Sequence, residues 1–320
     1  MISTAGLGRT FTTKKTTVEA VKGVDIEVAA GELVAFLGPN GAGKTTTLRM
    51  LTTLLPPTSG RATVAGRDVV GDPAGVRSQI GYIGQGNGAG HSYRVLDELV
   101  MQGRFYGMNS SDARTRAGEL LTSLDLESMA SRVVNTLSGG QRRRLDIALG
   151  LMHSPPLLFL DEPSTGMDPQ NRANLWDHIR RMREEHQTTI VLTTHYLEEA
   201  DTQAERVLVI DHGEIIADDT AAKLKSDLAG DHITVHVAQR DREPAIRALA
   251  EIGHDITATT GGERSVVVTR VERGPAMLPV ALRRLEAAGI TPIAADVAQP
   301  TLDDVFLSLT GRSLREGETV

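Results

Sequence analysis

The sequence predicts an α/β protein built around a phosphate-binding loop and followed by a smaller α/β domain. Residues 38–46 read GPNGAGKTT and lie between an apolar run at 33–37 and a helical pattern at 45–55. A strand, a glycine-rich loop, Lys-Thr and a helix form the context that a P-loop needs. Strand and helix patterns then alternate to about residue 228, and a different pattern begins after Gly230. We therefore predict two domains, 1–229 and 230–320.

Composition excludes several classes of protein. The absence of cysteine excludes disulfides, thiolate zinc sites and cysteine nucleophiles. The net charge is -7 and no long Lys/Arg block occurs, so a surface that tracks nucleic-acid phosphates is not predicted. No signal peptide is evident, and no apolar run approaches the roughly 20 residues that span a bilayer. We expect any membrane part to be supplied by another chain.

The larger domain reads as strands and helices interrupted by one helical insertion. Apolar periodicity at 95–129 and 137–152 predicts a helical subdomain of about residues 86–152. Strands are predicted at 3–28 (with a turn at 12–17), 33–37, 61–70, 80–83, 157–160, 189–193, 206–210 and 214–217, and helices at 45–55, 171–186, 197–204 and 220–228.

The smaller domain shows the order β-α-β-β-α-β, which is that of a ferredoxin-like unit. A last helix at 301–309 has Thr301 and Asp304 in capping-box positions. The elements before it are predicted at 232–237, 243–252, 256–259, 265–271, 275–288 and 290–297.

The loop at 38–46 is predicted to hold the phosphates of a nucleoside triphosphate. Gly38, Gly41 and Gly43 allow the backbone N–H groups to curl around an anion, and the helix that follows directs its positive end at the same place. Lys44 can reach the β- and γ-phosphates, and the Thr45 hydroxyl can coordinate Mg²⁺.

An apolar strand ending in two carboxylates, LLFLDEP, supplies the predicted chemistry. In a P-loop protein Asp161 belongs with Mg²⁺, while Glu162 is placed to orient or deprotonate the attacking water. Alone, an Asp-Glu pair after a strand is often only a helix N-cap.

A second anion site is predicted at LSGGQ, residues 137–141, where Ser138 and two glycines begin a helix. One lysine-bearing loop already holds the phosphates, so this site is best explained by sharing across a dimer. Arg142 and Arg144, with the arginine between them, are interpreted as a solvated or subunit-contacting helix face.

Three further residues are candidates because of their positions. His195 follows a buried strand and could hydrogen-bond a γ-phosphate as a neutral imidazole. Gln85 ends a strand and precedes a glycine-rich segment suited to sensing nucleotide state. Phe11 could stack on adenine or be a core aromatic.

In their order along the chain, GPNGAGKTT, Gln85, LSGGQ, LLFLDEP, STGMD and His195 resemble an ATP-binding cassette ATPase over roughly residues 1–228. The resemblance implies a RecA-like core with an antiparallel β subdomain and a helical subdomain. It implies catalytic roles for Glu162, His195, Lys44 and Gln85, and Mg²⁺ ligands in Thr45, Gln85 and Asp161. It implies nucleotide binding by Phe11, Gly38, Pro39, Asn40, Gly41, Ala42, Gly43, Lys44, Thr45, Thr46, Ser138, Gly139, Gly140, Gln141 and Asp168.

The tail motif PTLDDVFLSLTGR, residues 300–312, resembles the ATP-binding subunits of the daunorubicin-resistance type of drug exporter. This implies an ATPase that uses ATP and Mg²⁺, pairs with a second copy of itself, and serves a transmembrane permease at the cytoplasmic face of the cell membrane. After Gln85 the chain reads GNGAGHSYRVLDEL, where that family usually has an acidic stretch and an LTGRENL-like segment. Because this region faces the membrane partner in the family, the departure concerns partner and substrate rather than catalysis.

Other functions remain open at this point. A soluble cassette ATPase acting on nucleic acid or ribosomes usually carries coiled-coil insertions, tandem cassettes or basic arms, which this sequence lacks. An importer ATPase is opposed only by the tail motif. A P-loop kinase or GTPase does not explain LSGGQ.

Overall fold

The computed structural model describes residues 1–13, 15–86, 88–90 and 92–313. The chain divides into two compact units, Met1–Asp218 and Asp219–Val320. In the described residues no helix combines the length and apolar character needed to cross a bilayer. The elements up to the boundary are, in chain order, β1 (Ile2–Thr12), β2 (Thr17–Val24), β3 (Glu27–Val28), β4 (Leu33–Leu37), α1 (Lys44–Leu51), β5 (Ser59–Val64), β6 (Arg67–Asp68), α2 (Pro73–Gln79), β7 (Ile80–Ile83), α3 (Val95–Phe105), α4 (Ser110–Ser123), α5 (Gly139–Leu151), β8 (Leu157–Asp161), α6 (Pro169–His186), β9 (Thr189–Thr194), α7 (Leu197–Gln203), β10 (Arg206–Asp211) and β11 (Glu214–Asp219).

The central sheet of the first unit has the order β11-β10-β4-β9-β8-β7, and its strands from β10 to β7 run parallel. The residues of β4, β8 and β9 are buried throughout, which explains why these strands read as continuous apolar runs. Their carboxyl ends meet at one edge, where α/β proteins place their ligands.

An antiparallel sheet packs with this core. Its order is β2-β1-β5-β6, and β3 also pairs with β1. Side chains from both sheets, including Ile2, Val64, Phe36 and Phe159, belong to one buried apolar cluster. The helices α3, α4 and α5 lie within the predicted helical insertion.

Several boundaries differ from the prediction for local reasons. The helix after the P-loop ends at Leu51 rather than at residue 55, and Thr53 has a left-handed φ of 63°. The predicted strand 61–70 is a hairpin that turns at Ala65 and Gly66, with φ values of 50° and 75°. The short helix α2 is absent from the prediction, although Asp72 caps it by accepting from the Gly75 N–H.

The second unit has a four-stranded antiparallel sheet within its described residues, of order β13-β14-β12-β15. Alternate residues of β12, such as Ile233 and Val235, are buried against Leu249 and Leu285. These two leucines belong to the helices Arg242–Leu249 and Gly274–Ala287. The capping box of Thr301 and Asp304 is confirmed. The elements are α8 (Ala221–Leu224), β12 (Asp231–Ala238), α9 (Arg242–Leu249), β13 (His254–Gly261), β14 (Arg264–Val271), α10 (Gly274–Ala287), β15 (Ala294–Ala298) and α11 (Leu302–Thr310).

The segment 220–229 groups with the second unit, although the predicted boundary lies at 229/230. Its backbone is held from that side, because the Leu228 carbonyl accepts hydrogen bonds from Arg270 (2.6 Å) and Ser308 (3.0 Å).

Candidate nucleotide site

The candidate site lies at the carboxyl edge of the parallel sheet. The register places Leu37, the last residue of β4, beside Thr194 of β9, and Asp161 of β8 beside Thr193. The loop after β4, the carboxylates at the end of β8 and His195 after β9 are therefore neighbours, although they are far apart in the sequence.

Two glycines of the P-loop exclude a side chain for different reasons. Gly43 has a φ of 108°, and a Cβ there would lie 2.6 Å from the Ala20 carbonyl oxygen. Gly38 is excluded from carrying a side chain by packing, since a Cβ would lie 2.1 Å from the Ile210 carbonyl oxygen. The remaining predicted nucleotide residues of this segment occupy the loop and the first turn of α1: Pro39, Asn40, Gly41, Ala42, Lys44, Thr45 and Thr46.

Lys44 is the buried cation of the loop, with its side chain only 4% exposed. Its Nζ donates to the carbonyl oxygens of Gly38 (2.6 Å) and Pro39 (3.0 Å) and lies 4.0 Å from Glu162 Oε1. Burial lowers the pKa of Lys44, while the charges of Glu162 and Asp161 oppose that shift. The ammonium is thus held among the oxygen atoms of Gly38, Pro39 and Glu162.

A group of oxygen-bearing side chains converges on Asp161. Its Oδ1 accepts from Thr45 Oγ1 (2.9 Å) and Thr193 Oγ1 (2.7 Å), and its Oδ2 lies 3.5 Å from the Tyr82 hydroxyl. Gln85 Nε2 lies 3.3 Å from Thr45 Oγ1. A hydroxyl, a carboxylate and an amide in contact form a donor set that suits a hard divalent cation such as Mg²⁺.

Glu162 has a left-handed backbone, with a φ of 49°. Such a conformation costs about 1–2 kcal/mol for a non-glycine residue. Thr193 secures it, because the Glu162 N–H donates to the Thr193 carbonyl (3.1 Å) and hydroxyl (3.0 Å). The turn directs Glu162 to His195, whose Nδ1 lies 3.4 Å from Glu162 Oε1.

The surroundings of Glu162 favour its ionised form. The contact with His195 is the largest cause that lowers the pKa of Glu162; burial opposes it, and Lys44 and Thr165 add to the lowering. A carboxylate kept ionised beside a lysine and a histidine can orient water or accept its proton.

The LSGGQ segment forms the start of α5. Ser138 is the N-cap and forms a complete capping box with Gln141: the Gln141 N–H donates to Ser138 Oγ (3.3 Å), and the Ser138 N–H donates to Gln141 Oε1 (3.0 Å). Gly139 and Gly140, together with Ser138, line a cleft of about 390 Å³ that Gln85, Glu162 and Asp168 also line.

The arginines after LSGGQ, predicted to form a solvated or subunit-contacting face, are partly buried and bond within the chain. Arg142 donates to the Asn135 carbonyl (3.3 Å) and Arg144 to the Leu124 carbonyl (2.7 Å). Arg143 lies between them and donates to the carbonyl oxygens of Gly84 (2.6 Å), Pro163 (2.8 Å), Asp161 (3.3 Å) and Glu162 (3.5 Å). These side chains therefore hold the chain's own backbone, and Arg143 joins α5 to the ends of β7 and β8.

The remaining predicted nucleotide residues, Phe11 and Asp168, lie on β1 and at the start of α6. Phe11 is on β1, is 38% exposed, and has the Arg9 guanidinium 4.7 Å from its ring centre. The alternative that Phe11 is a core aromatic is therefore wrong. Asp168 caps α6 by accepting from the Asn171 N–H at 3.0 Å.

Sequence reasoning missed Thr193 and Tyr82, and it considered Arg143 without finding its contacts. Thr193 and Tyr82 lie within strands, where a hydroxyl gives no local signal of its partner. Their proximity to Asp161 follows only from the order of strands in the sheet.

The chain is similar to known proteins over most of its length. The family model for ABC transporters matches residues 21–165. The chain is 40% identical to the daunorubicin/doxorubicin resistance ATP-binding protein DrrA of Streptomyces peucetius, over 99% of this chain and 94% of that protein. It is 41% identical to the doxorubicin resistance ATP-binding protein DrrA of Mycobacterium tuberculosis (92% and 89%) and 33% identical to the linearmycin resistance ATP-binding protein LnrL of Bacillus subtilis (92% and 95%).

A solved structure is similar to part of this chain. It is the dimeric, post-hydrolysis state of the ATP-binding cassette MJ0796 bound to ADP and Pi. The TM-score is 0.64 at 26% identity, covering 69% of this chain and 98% of that chain.

Proposed function

This chain belongs to the ATP-binding cassette family, and on that premise we propose that it is the ATP-hydrolysing subunit of an exporter that removes a drug-like compound through a separate membrane protein. The family resemblance predicted from the motifs is thereby confirmed. The relatives named for resistance to daunorubicin, doxorubicin and linearmycin support the class of cargo.

The observation that carries the proposal is the contact of Glu162 with both Lys44 and His195 beside the Thr45–Asp161 pair. We assign Lys44 to the β- and γ-phosphates of ATP, since its ammonium already lies among carbonyl oxygens at the P-loop. Glu162 would orient the attacking water and accept its proton. His195 would hold Glu162 and the γ-phosphate in line, and the P-loop N–H groups would stabilise charge on the phosphoryl oxygens.

Thr45, Asp161 and Gln85 are assigned as the residues that would hold Mg²⁺. When bound, the ion supplies charge neutralisation between the phosphate groups of ATP. The side chains themselves position one another: Asp161 fixes the Thr45 hydroxyl, and Thr193 fixes Asp161.

The Ser138 loop is assigned to the ATP of a second copy of the chain. Support comes from the helix start at Ser138, which lines an open cleft, and from the dimeric state of the MJ0796 cassette. Phe11 and Asp168 would complete the nucleotide site. Such a dimer would work at the cytoplasmic face of the cell membrane, bound to the permease.

We also infer that the second domain, proposed at 230–320, is ferredoxin-like. The support is its β-α-β-β-α-β order together with the antiparallel strand order β13-β14-β12-β15. The first domain, proposed at 1–229, would then contain all of the assigned nucleotide residues.

Glu162→Gln tests the assignment. The amide keeps the shape of the side chain but cannot accept the proton, so we expect ATP hydrolysis to fall at least about 100-fold while Mg·ATP is still bound. Size-exclusion chromatography with light scattering should show a dimer of the variant in Mg·ATP. Glu184→Gln, on the exposed face of α6, is the matched control and should behave as wild type.

Turnover at the wild-type rate in Glu162→Gln would exclude the role of this carboxylate. Transport is tested separately, by doxorubicin fluorescence in cells that express the chain together with a candidate permease. Retention of doxorubicin in cells with Glu162→Gln but not in cells with wild type is expected. Equal retention in both would argue against an anthracycline cargo.

A further inference from the structure

Glu199, in the first turn of α7, is a buried carboxylate that the assigned mechanism does not use. It is only 3% exposed. Its Oε1 accepts from Ser164 Oγ and from Trp176 Nε1 (3.2 Å), and its Oε2 accepts from Thr194 Oγ1 (2.8 Å). Burying a carboxylate is costly unless it is paired and hydrogen-bonded, so this arrangement needs all of its donors.

The donors come from segments that adjoin the hydrolytic residues. Ser164 is two positions after Glu162 and begins the loop that ends at Asp168, while Thr194 immediately precedes His195. Glu199 therefore bridges the chain just after Glu162 to the chain just before His195.

A second bridge joins the same two strand ends, since the Thr193 hydroxyl donates to Asp161 at 2.7 Å. On the first strand end Glu162 lies between the bridged residues Asp161 and Ser164. On the second strand end His195 directly follows the bridged residues Thr193 and Thr194, and it contacts Glu162. Because Glu162 has a left-handed backbone, its direction depends on how firmly both of its flanks are held.

Neighbouring groups fix Glu199 itself. Arg172 Nε lies 3.9 Å from Glu199 Oε1 and supplies positive charge, and its guanidinium lies 4.3 Å from the centre of the Tyr196 ring. The Tyr196 N–H donates to Thr194 Oγ1 at 2.9 Å. The segment 194–196 is thus tied to Glu199 and to α6 at several atoms.

We propose that Glu199 is a positioning residue for ATP hydrolysis. It holds the Ser164–Asp168 loop and His195 in place so that Glu162 and His195 stay in contact. The inference rests on the proposed function, because it takes the Glu162–His195 contact as the hydrolytic one. It does not involve the P-loop, so nucleotide binding should be spared.

Glu199→Gln tests this, because an amide can accept at one of the two oxygen positions but not at both. We expect kcat for ATP to fall at least about tenfold and KM to stay within about twofold. Ser164→Ala, which removes one donor, should shift kcat in the same direction. Glu198→Gln changes the adjacent exposed carboxylate of α7 and should leave both constants unchanged.

Hydrogen exchange supplies a readout that does not need turnover. Peptides covering 162–168 and 193–197 should exchange faster in Glu199→Gln than in Glu198→Gln, at a temperature where both are folded. Unchanged exchange and unchanged kcat in Glu199→Gln would overturn the proposal. If wild type itself did not hydrolyse ATP, the proposed function would fail, and the exchange comparison alone would decide whether Glu199 holds these segments.

Discussion

Single residues at the site show how buried charges are made compatible with a folded protein. Lys44, Asp161 and Glu162 are withdrawn from solvent, and their mutual attraction offsets part of the cost of burial. The lowered pKa of Lys44 shows that burial outweighs the attraction of the two carboxylates. An anionic ligand that reaches this ammonium would relieve the remaining cost, so affinity for triphosphate should depend strongly on Lys44.

Lys44→Met keeps most of the side-chain length and removes the charge. The net loss of one charge-assisted bond, about 1.5–3 kcal/mol, should raise the Kd for Mg·ATP about 10- to 150-fold. Isothermal titration with the slowly hydrolysed variant Glu162→Gln as background measures this. Lys223→Met, an exposed lysine paired with Asp219, is the control. An unchanged Kd for Lys44→Met would show that Lys44 does not contact the phosphates.

Residues with a local motif were predictable at this scale, whereas their supports were not. Lys44, Thr45 and Asp161 follow from short patterns next to a strand or helix. Thr193 and Arg143 bond to atoms of residues that are distant in sequence, so no short sequence motif predicts their roles. The intrachain bonds of the arginines after LSGGQ were not predicted for that reason: the carbonyl groups they bind come from other elements.

The helix α5 holds the segment after β7 at two points. One turn apart on the helix, Arg143 donates to the Gly84 carbonyl, and Asp146 Oδ1 accepts from the N–H groups of Gly88 (2.9 Å) and Ala89 (3.1 Å). Gln85 lies between these points, and α5 begins with the LSGGQ motif. A displacement of α5 should therefore carry the Gln85 segment with it.

Asp146→Asn probes this connection through pH. Burial raises the pKa of Asp146 above its ordinary value of 3.8, so wild type loses stability as pH rises from that value through the pKa of the folded state. Asparagine keeps an acceptor for Gly88 and Ala89 without ionising. The melting temperature of Asp146→Asn relative to wild type should therefore increase from pH 4 to pH 7.

The control for this measurement is Asp97→Asn, since Asp97 is exposed in the first turn of α3. Its difference from wild type should not rise in the same pH window. A difference for Asp146→Asn that stayed constant between pH 4 and pH 7 would contradict the raised pKa.

Element types were largely predictable from apolar periodicity, and their ends were less so. The continuous apolar runs of β4 and β8 and the alternation in β12 identify strands directly. The end of α1 and the hairpin after β5 depend on residues with positive φ, and of these Thr53 and Ala65 belong to types that seldom adopt it. A sequence pattern therefore continues past the point where the backbone turns.

At the scale of the whole molecule, the chain consists of two units with separate cores. Leu48, Phe36 and Phe159 belong to a cluster in the first unit, while Val267 and Leu285 belong to a cluster in the second. Every assigned nucleotide residue lies before Asp218. The change of sequence pattern near Gly230 predicts a boundary at 229/230, whereas the two compact units divide between Asp218 and Asp219.

Leu285→Ala tests whether the two units are independent in stability. Leu285 is fully buried in the second unit, so its truncation should lower the free energy of unfolding of that unit by about 2–5 kcal/mol. Trp176 is the single tryptophan of the chain and lies in the first unit, whereas far-ultraviolet circular dichroism reports both. In urea, the variant should show an earlier dichroism transition with an unchanged Trp176 emission transition, and its KM for ATP should stay within about twofold.

Leu307→Ala, at a side chain that is 46% exposed, should leave both transitions in place. If the Trp176 transition moved together with the dichroism signal, the units would unfold as one, and separate cores would not imply separate stability.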